Sequence, residues 1–357
     1  MQTDVLIIGA GLCGLAVAKG LTDRNADWLL LEARDRVGGR ILTRQSDRVA
    51  ADAVPADMGP SWIWPGQPRV AGLLQSLDIG VFEQYSAGRL VYEDETGQVR
   101  RDLDYSTMAG SLRIDGGSAR LVRDLAATLP VERLLCEHRV QRIRRGKAGY
   151  EVELQASGQP RSIRARKVVL ALPPRLAAQS IEFEPALDTA IVSELNDIPT
   201  WMAGHAKVFV IYDKPFWREL GLSGDGISRR GPLMEIHDAS AARPDNGALF
   251  GFVGLDSASS RRDPETLVPD CLQQLQRLFG DAAAEPLDVI VKDWYRDALT
   301  AVAADSTTRQ HPHYGMPSGV RGLAETQLYF AGSEMAGQFG GFIEGALEAA
   351  EYTLAQI

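Results

Sequence analysis

The chain has 357 residues, 45% of them hydrophobic and 24% charged, a composition that suits a globular protein of two intertwined domains better than a single ordinary core. No apolar run reaches the roughly 18 residues that a membrane span needs, and a net charge of −9 argues against nonspecific binding to nucleic acid or anionic membrane. No basic-then-apolar leader precedes the first strand, so a cytoplasmic location is expected, and three scattered cysteines, Cys13, Cys136 and Cys271, indicate neither a disulfide framework nor a metal cluster.

The first element is an apolar run, Val5-Leu6-Ile7-Ile8, that reads as a buried parallel strand. It ends in Gly9-Ala10-Gly11-Leu12-Cys13-Gly14 and opens a helix of small residues. Gly9 permits the tight turn, Gly11 lets the backbone approach a pyrophosphate, and Gly14 lets helix and strand pack closely. The helix N-terminus offers unpaired N–H groups to phosphates. Cys13 reads as a small buried residue within the motif. Glu32 closes a second apolar run, Trp28 to Leu31, where a carboxylate can accept both hydroxyls of a ribose. Strand, helix and acid coincide, so a dinucleotide site is expected. Ala33 and Arg34 follow the acid. In Arg36-Val37-Gly38-Gly39-Arg40 two glycines between arginines make a loop that can lie close to a phosphate while Arg40 neutralises it.

The segment Glu32 to Arg40 resembles the second fingerprint of the FAD-dependent amine oxidase family, which contains monoamine and polyamine oxidases. The resemblance implies FAD, with Glu32 on the adenosine ribose and Arg40 near the pyrophosphate. Asp57-Met58-Gly59-Pro60-Ser61-Trp62-Ile63 is similar to the family's next FAD-proximal segment. Helical periodicity follows at Val70, Leu73, Leu74 and Leu77, then a hairpin, Arg89 to Tyr92 and Gln98 to Arg100. Ile114-Asp115-Gly116-Gly117 precedes a helix with Leu121, Val122, Leu125 and Leu129 on one face. A strand pair spans Arg139 to Arg144 and Tyr150 to Leu154, and Val140 matches the family position whose backbone meets the adenine. The apolar strand Lys167 to Leu172 ends at Pro173-Pro174 and leads toward the substrate domain.

The second excursion carries a strand, Ala206 to Tyr212, strands Leu233 to His237 and Ala248 to Leu255, and a helix with Leu267, Cys271, Leu272, Leu275 and Leu278 on one side. The third FAD element is Leu328 to Glu334 followed by Gly340-Gly341-Phe342. A strand ends at Gly332, and a helix opens near Gly341 with Ile343, Ala346 and Leu347 inward. The resemblance aims that helix N-terminus at the flavin N1 and C2 carbonyl, where negative charge develops on reduction. It puts Ser333 in place of the usual threonine, and Glu334 as a second acid on the ribose or pyrophosphate side. The expected fold is therefore α/β plus α+β: a Rossmann-like FAD domain (residues 1–65, 113–175 and 291–357) interleaved with a mixed-sheet substrate domain (66–112 and 176–290).

Lys207 is the foremost catalytic candidate, because an amine in an apolar strand is costly unless paired or hydrated. Its spacing to Pro215-Phe216-Trp217 resembles that of the family lysine, which holds a water against flavin N5 and promotes reaction with oxygen. Trp294 matches a family tryptophan packed on the flavin, and Phe342 one wall of the family's aromatic cage. The opposite wall, Ala298 to Ala303, has no aromatic residue, so Tyr314 or Trp201 is expected to complete the cage. No cysteine stands between Trp294 and Gly332, which implies noncovalent FAD. His311-Pro312-His313 reads as loop, and no metal is expected.

The implied activity is oxidation of a primary or secondary amine to an imine, by hydride transfer to flavin N5, with O2 as acceptor and H2O2 as product. A homodimer is the expected assembly. Two alternatives stand: an L-amino-acid oxidase on the same fold, and a non-redox FAD protein such as a mutase or assembly factor. The first would need an arginine clamp. Arg89 and Arg229 lie in the substrate segments, with nothing in the sequence to aim them inward.

Overall fold

The computed structural model describes residues 1–50, 54–254, 263–307 and 310–357. Two sheets organise it, and each forms where the apolar pattern dictates. In the first, Gln2–Ile8 runs parallel to Trp28–Leu31 on one side and to the second half of Gln159–Leu170 on the other. Leu6, Ile7, Leu30, Leu31, Val168, Val169 and Leu170 are wholly buried, as parallel strands covered on both faces require. Gln159–Leu170 changes role along its length. Its first four residues are exposed and residues 162–166 alternate exposed and buried, pairing antiparallel with Gly149–Ala156 up to Ala165, whereas its apolar end also takes Leu328–Phe330 as a parallel neighbour. Spatial order across this sheet is 182–184, 138–146, 149–156, 159–170, 2–8, 28–31 and 134–135. The helices Leu12–Asp23 and Ile343–Leu354 pack together over it.

The second sheet has seven strands in the order Asp288–Asp293, Ala206–Tyr212, Gly247–Val253, Leu233–Asp238, Leu222–Ser228, Arg89–Glu93 and Val99–Leu103. One face, with Val208, Val210 and Tyr212, packs on Leu267, Cys271, Leu275 and Leu278 of the helix Pro264–Phe279. The opposite face presents Phe209, Ile211 and Phe250 to Val54, Ala56 and Met58 of the chain leaving the first sheet. Ala206–Tyr212 is therefore buried on both sides. The architecture is the expected Rossmann-like unit threaded by a mixed-sheet unit. Leu255, the expected end of the Ala248 strand, lies outside the described residues.

The boundaries between the units differ from the expected ones. The helix Pro68–Ser76 joins the first core through Val70 and Leu74. Glu182–Glu184 extends the first sheet, and Leu195 of the helix Thr189–Asn196 is buried in the same core. The crossing after residue 175 thus falls nearer residue 200, and Asp288–Asp293 still belongs to the second sheet. Periodicity identified the helix at Val70, Leu73, Leu74 and Leu77 but carried no information about which core would receive its apolar face.

Glu344, wholly buried at the start of the last helix, fixes the helix Pro68–Ser76. Its carboxylate accepts the backbone N–H groups of Arg69 (3.2 Å) and Val70 (2.9 Å), and Arg69 Nη1 at 3.2 Å. A carboxylate at a helix N-terminus also meets the positive end of its dipole. Glu344→Ala leaves those donors without an acceptor, and should lower unfolding stability by about 3 kcal/mol, measured as a shift of the urea midpoint at constant slope.

Candidate active site

A continuous cavity of about 1120 Å3 runs between the two sheets, larger than the roughly 300–1,000 Å3 of ordinary small-molecule sites. On the first-sheet side it begins at the glycine turn. Gly9 sits at φ +104°, where a side chain would press on the carbonyl of Ala171. Gly11 lines the cavity, and a Cβ built on it would meet nothing within 4 Å. Gly14 stays off the wall and lets the helix sit against the Gly9 carbonyl, its expected packing role. Glu32 is 4% exposed, and its two oxygens accept the N–H groups of Ala10 and Arg34, each at 2.9 Å. Each oxygen keeps a second lone pair, the acceptor set to which a ribose diol would donate. Cys13 reaches the wall with its Sγ on the Ala331 carbonyl, and burial pushes its thiol well above the ordinary range. Ala33, Gly38, Gly39 and Val140 also line the cavity, as expected. The empty space above Gly11 and the acceptor pair of Glu32 fit a dinucleotide.

The arginines are tied down by protein. Arg34 Nη2 donates to Asp297 (2.7 Å) and Thr300 Oγ1 (2.8 Å), clamping the returning chain over the cavity. Arg40 pairs with Glu334 at 2.7 Å and donates to Ser333 Oγ at 3.1 Å. Burial opposes the charge on Arg40, and Glu334 outweighs it. Glu334 was expected to face the ribose or pyrophosphate; it is instead fully buried behind the wall, because its charge is needed to balance Arg40. Ser333, Gly332, Gly341, Phe342, Ile343 and Ala346 do line the cavity, where the last helix begins.

Lys207 enters from the second sheet, 2% exposed. Its Nζ donates to the carbonyls of Asp57 and Gly59, each at 2.8 Å, and to Ser61 Oγ at 2.9 Å. It also lies 4.0 Å over the ring of Phe250 and 5.2 Å over that of Phe252. An ammonium has three donors, and all three are used. The resemblance implied that one would hold a water; here Ser61 Oγ takes that place. Burial lowers the Lys207 pKa to about 7, with Asp57 opposing and Arg113 adding to the shift. Gly59, Pro60, Ser61 and Trp62 line the cavity beside it, and Trp294 donates from Nε1 to the Met58 carbonyl at 2.8 Å.

The aromatic wall around Phe342 is built from residues far apart in sequence. Trp64 meets Phe342 edge-on at 6.2 Å, His311 stacks on it at 5.0 Å, and Trp201 meets His311 at 5.1 Å. Of the two rings expected to complete the cage, Trp201 lines the cavity. Tyr314 supports it from behind, accepting Trp201 N–H at 3.0 Å and donating to the Pro199 carbonyl at 2.7 Å. His311, expected only as loop, is part of the site. His205, also on the wall, stands immediately before the strand Ala206–Tyr212, two residues ahead of Lys207. Burial depresses its pKa to about 4, so its ring is neutral. Glu235 and Arg229 line the cavity as well, and Arg89 does not.

The sequence pattern that defines the flavin containing amine oxidoreductases matches residues 12–101 and 79–356. The chain is 27% identical to a Mycobacterium tuberculosis protein assigned as a flavin-containing monoamine oxidase, over 99% of this chain and 96% of that one. It is 23% identical to putrescine oxidase of Kocuria rosea, over 100% and 95%. Cyclohexylamine oxidase from Brevibacterium oxydans IH-35A superposes with a TM-score of 0.80, at 23% identity and over 99% of this chain and 98% of that one.

Because a Cβ at Gly11 would enter open space, Gly11→Ala should leave the folding of the apoprotein within about 0.5 kcal/mol of wild type. Its affinity for FAD should fall at least tenfold, read by fluorescence titration of apoprotein with FAD.

Proposed function

The chain belongs to the flavin containing amine oxidoreductase family, and we propose that it oxidises a primary or secondary amine to an imine, with noncovalent FAD as first acceptor and O2 as the second, giving H2O2. The observation that carries this reading is a buried lysine and a wall of aromatic rings facing one cavity that is continuous with a dinucleotide cradle. Bound FAD supplies the two-electron acceptor. The chain's own residues do the rest.

Trp64, Trp201, His311 and Phe342 exclude water and offer ring faces to an arriving amine. An apolar wall lowers the pKa of an enclosed ammonium, which favours the neutral, oxidisable amine without a side-chain base. His205 is uncharged, so it does not repel the substrate. Lys207 is the group whose charge is available when O2 takes up electrons. The Cys13 Sγ is engaged with the Ala331 carbonyl, and Cys271 sits in the separate core under the second sheet, which supports noncovalent binding.

Anaerobic mixing of holoenzyme with a panel of amines and amino acids should bleach the flavin absorbance. A panel in which no amine bleaches it would instead support a non-redox FAD protein.

The two half-reactions should respond oppositely to pH. The charge on Lys207 is present below its folded pKa of about 7 and lost above it, so reoxidation by O2 should slow as pH rises through 7. Amine-driven reduction should quicken over the same range as the substrate loses its proton. In Lys207→Met, reoxidation should be at least tenfold slower and no longer vary with pH near 7, as followed by stopped flow.

A further inference from the structure

Across the cavity-facing side of the second sheet, paired residues form one row: Lys292, Lys207, Phe252, Glu235, Ile227 and Tyr92. Neighbouring strands lie about 4.8 Å apart, so Glu235 stands roughly 10 Å from Lys207 along that row. Phe252 fills the space between, and Lys207, Phe252 and Glu235 all line the cavity. A short straight carbon chain crosses such a span.

Glu235 is held in place. Its Oε1 takes His237 Nε2 at 3.0 Å, and His237 Nδ1 faces Asp225 Oδ1 at 3.1 Å. Asp225 is 1% exposed and further occupied by Ser106 Oγ at 3.0 Å. Burial disfavours charge on His237, but the two carboxylates outweigh it and raise its pKa. The trio sets two carboxylates against one imidazole, so it is net negative in either state of the ring, and Glu235, 40% exposed, is the member on the cavity wall. Arg229 lies two residues beyond Ile227, the cross-strand partner of Glu235, and so is its diagonal neighbour on the same face. It too lines the cavity, and its guanidinium forms no ion pair among the described residues. The wall opposite the flavin side therefore offers an anion and a cation side by side, the complement of a zwitterion.

We propose that the substrate is an α,ω-diamino acid oxidised at its ω-nitrogen, its α-ammonium held by Glu235 and its α-carboxylate by Arg229. This rests on the amine-oxidase reading above. The C–H bond beside the ω-nitrogen breaks and its electron pair passes to FAD. The nitrogen loses a proton to solvent and becomes an imine. O2 takes the two electrons and two protons as H2O2, and water hydrolyses the imine to an aldehyde and ammonia. A carboxylate needs a charged fork for recognition, and a carboxylate–ammonium pair separates such a substrate from a plain diamine or a monoamine.

Pentylamine, 1,5-diaminopentane and lysine form a series on one carbon chain, to which an ammonium and then a carboxylate are added. The rate of anaerobic flavin reduction divided by the apparent Kd should rise at least tenfold at each addition in wild-type holoenzyme. Glu235→Gln should reduce the preference of diamine over pentylamine at least tenfold. Arg229→Gln should do the same to the preference of lysine over diamine. A wild type that reduces no faster with lysine than with the diamine overturns the proposal while leaving amine oxidation intact. If none of the three bleaches the flavin, the amine-oxidase reading falls. Equilibrium dialysis of lysine against holoenzyme then decides the subsite: retention by wild type and not by Arg229→Gln supports it, and no retention overturns it.

Discussion

The structure depends on where one ammonium sits. Lys207 belongs to the second sheet, yet all its donors go to Asp57, Gly59 and Ser61, which belong to the chain leaving the first. A buried cation without partners would cost several kcal/mol, so the two units cannot separate here without exposing that cost. Phe250 and Phe252 add ring faces beneath it. The partial loss of its proton near neutrality follows from the same burial: the site that positions the amine also makes its charge conditional.

The arginines show a second constraint. A cavity meant for a phosphate-bearing cofactor needs positive charge, but free arginines would repel one another and an approaching amine. Arg34 is tied to Asp297, which also takes Lys292 at 2.7 Å, and Arg40 is tied to Glu334. Each ion pair links segments distant in sequence, 34 to 297 and 40 to 334, so the charge balance also brings three stretches of chain together around one cavity. Glu32 is held chiefly by backbone N–H groups at 2.9 Å, with the Arg34 guanidinium farther off at 3.8 Å.

The contributions of the cofactor cradle were legible because each is local. A turn glycine, an acid ending a strand and a helix opening on small residues declare themselves over a few positions, and Gly9, Gly11, Glu32 and Gly341 all reach the cavity. Glu334 was misplaced because its role is set by Arg40, nearly three hundred residues earlier, and no local pattern encodes that pairing. Pro68–Ser76 was recognised as a helix but assigned to the wrong unit, since its anchor is Glu344 near the other end of the chain. His205 could have been read from its closeness to Lys207, two residues ahead of it at the mouth of the strand. His311 could not, because a histidine beside a proline in an irregular segment carries no sign of the ring it will stack on.

That stacking alters what the aromatic wall can do. Two parallel rings that clasp a guest need about 7 Å between them, one van der Waals layer of roughly 3.5 Å on each side. His311 and Phe342 lie 5.0 Å apart with planes inclined by 25°, so no third layer fits between them. Phe342 lacks a hydroxyl that could fix its ring to a neighbour, and the stacked imidazole does so instead, itself held by Nε2 on the Gly340 carbonyl at 3.0 Å. The pair forms a single thick wall, with room for a guest along its surface rather than between two plates. On the proposed reading, discrimination between guests then falls to polar groups elsewhere on the cavity lining, Glu235 among them.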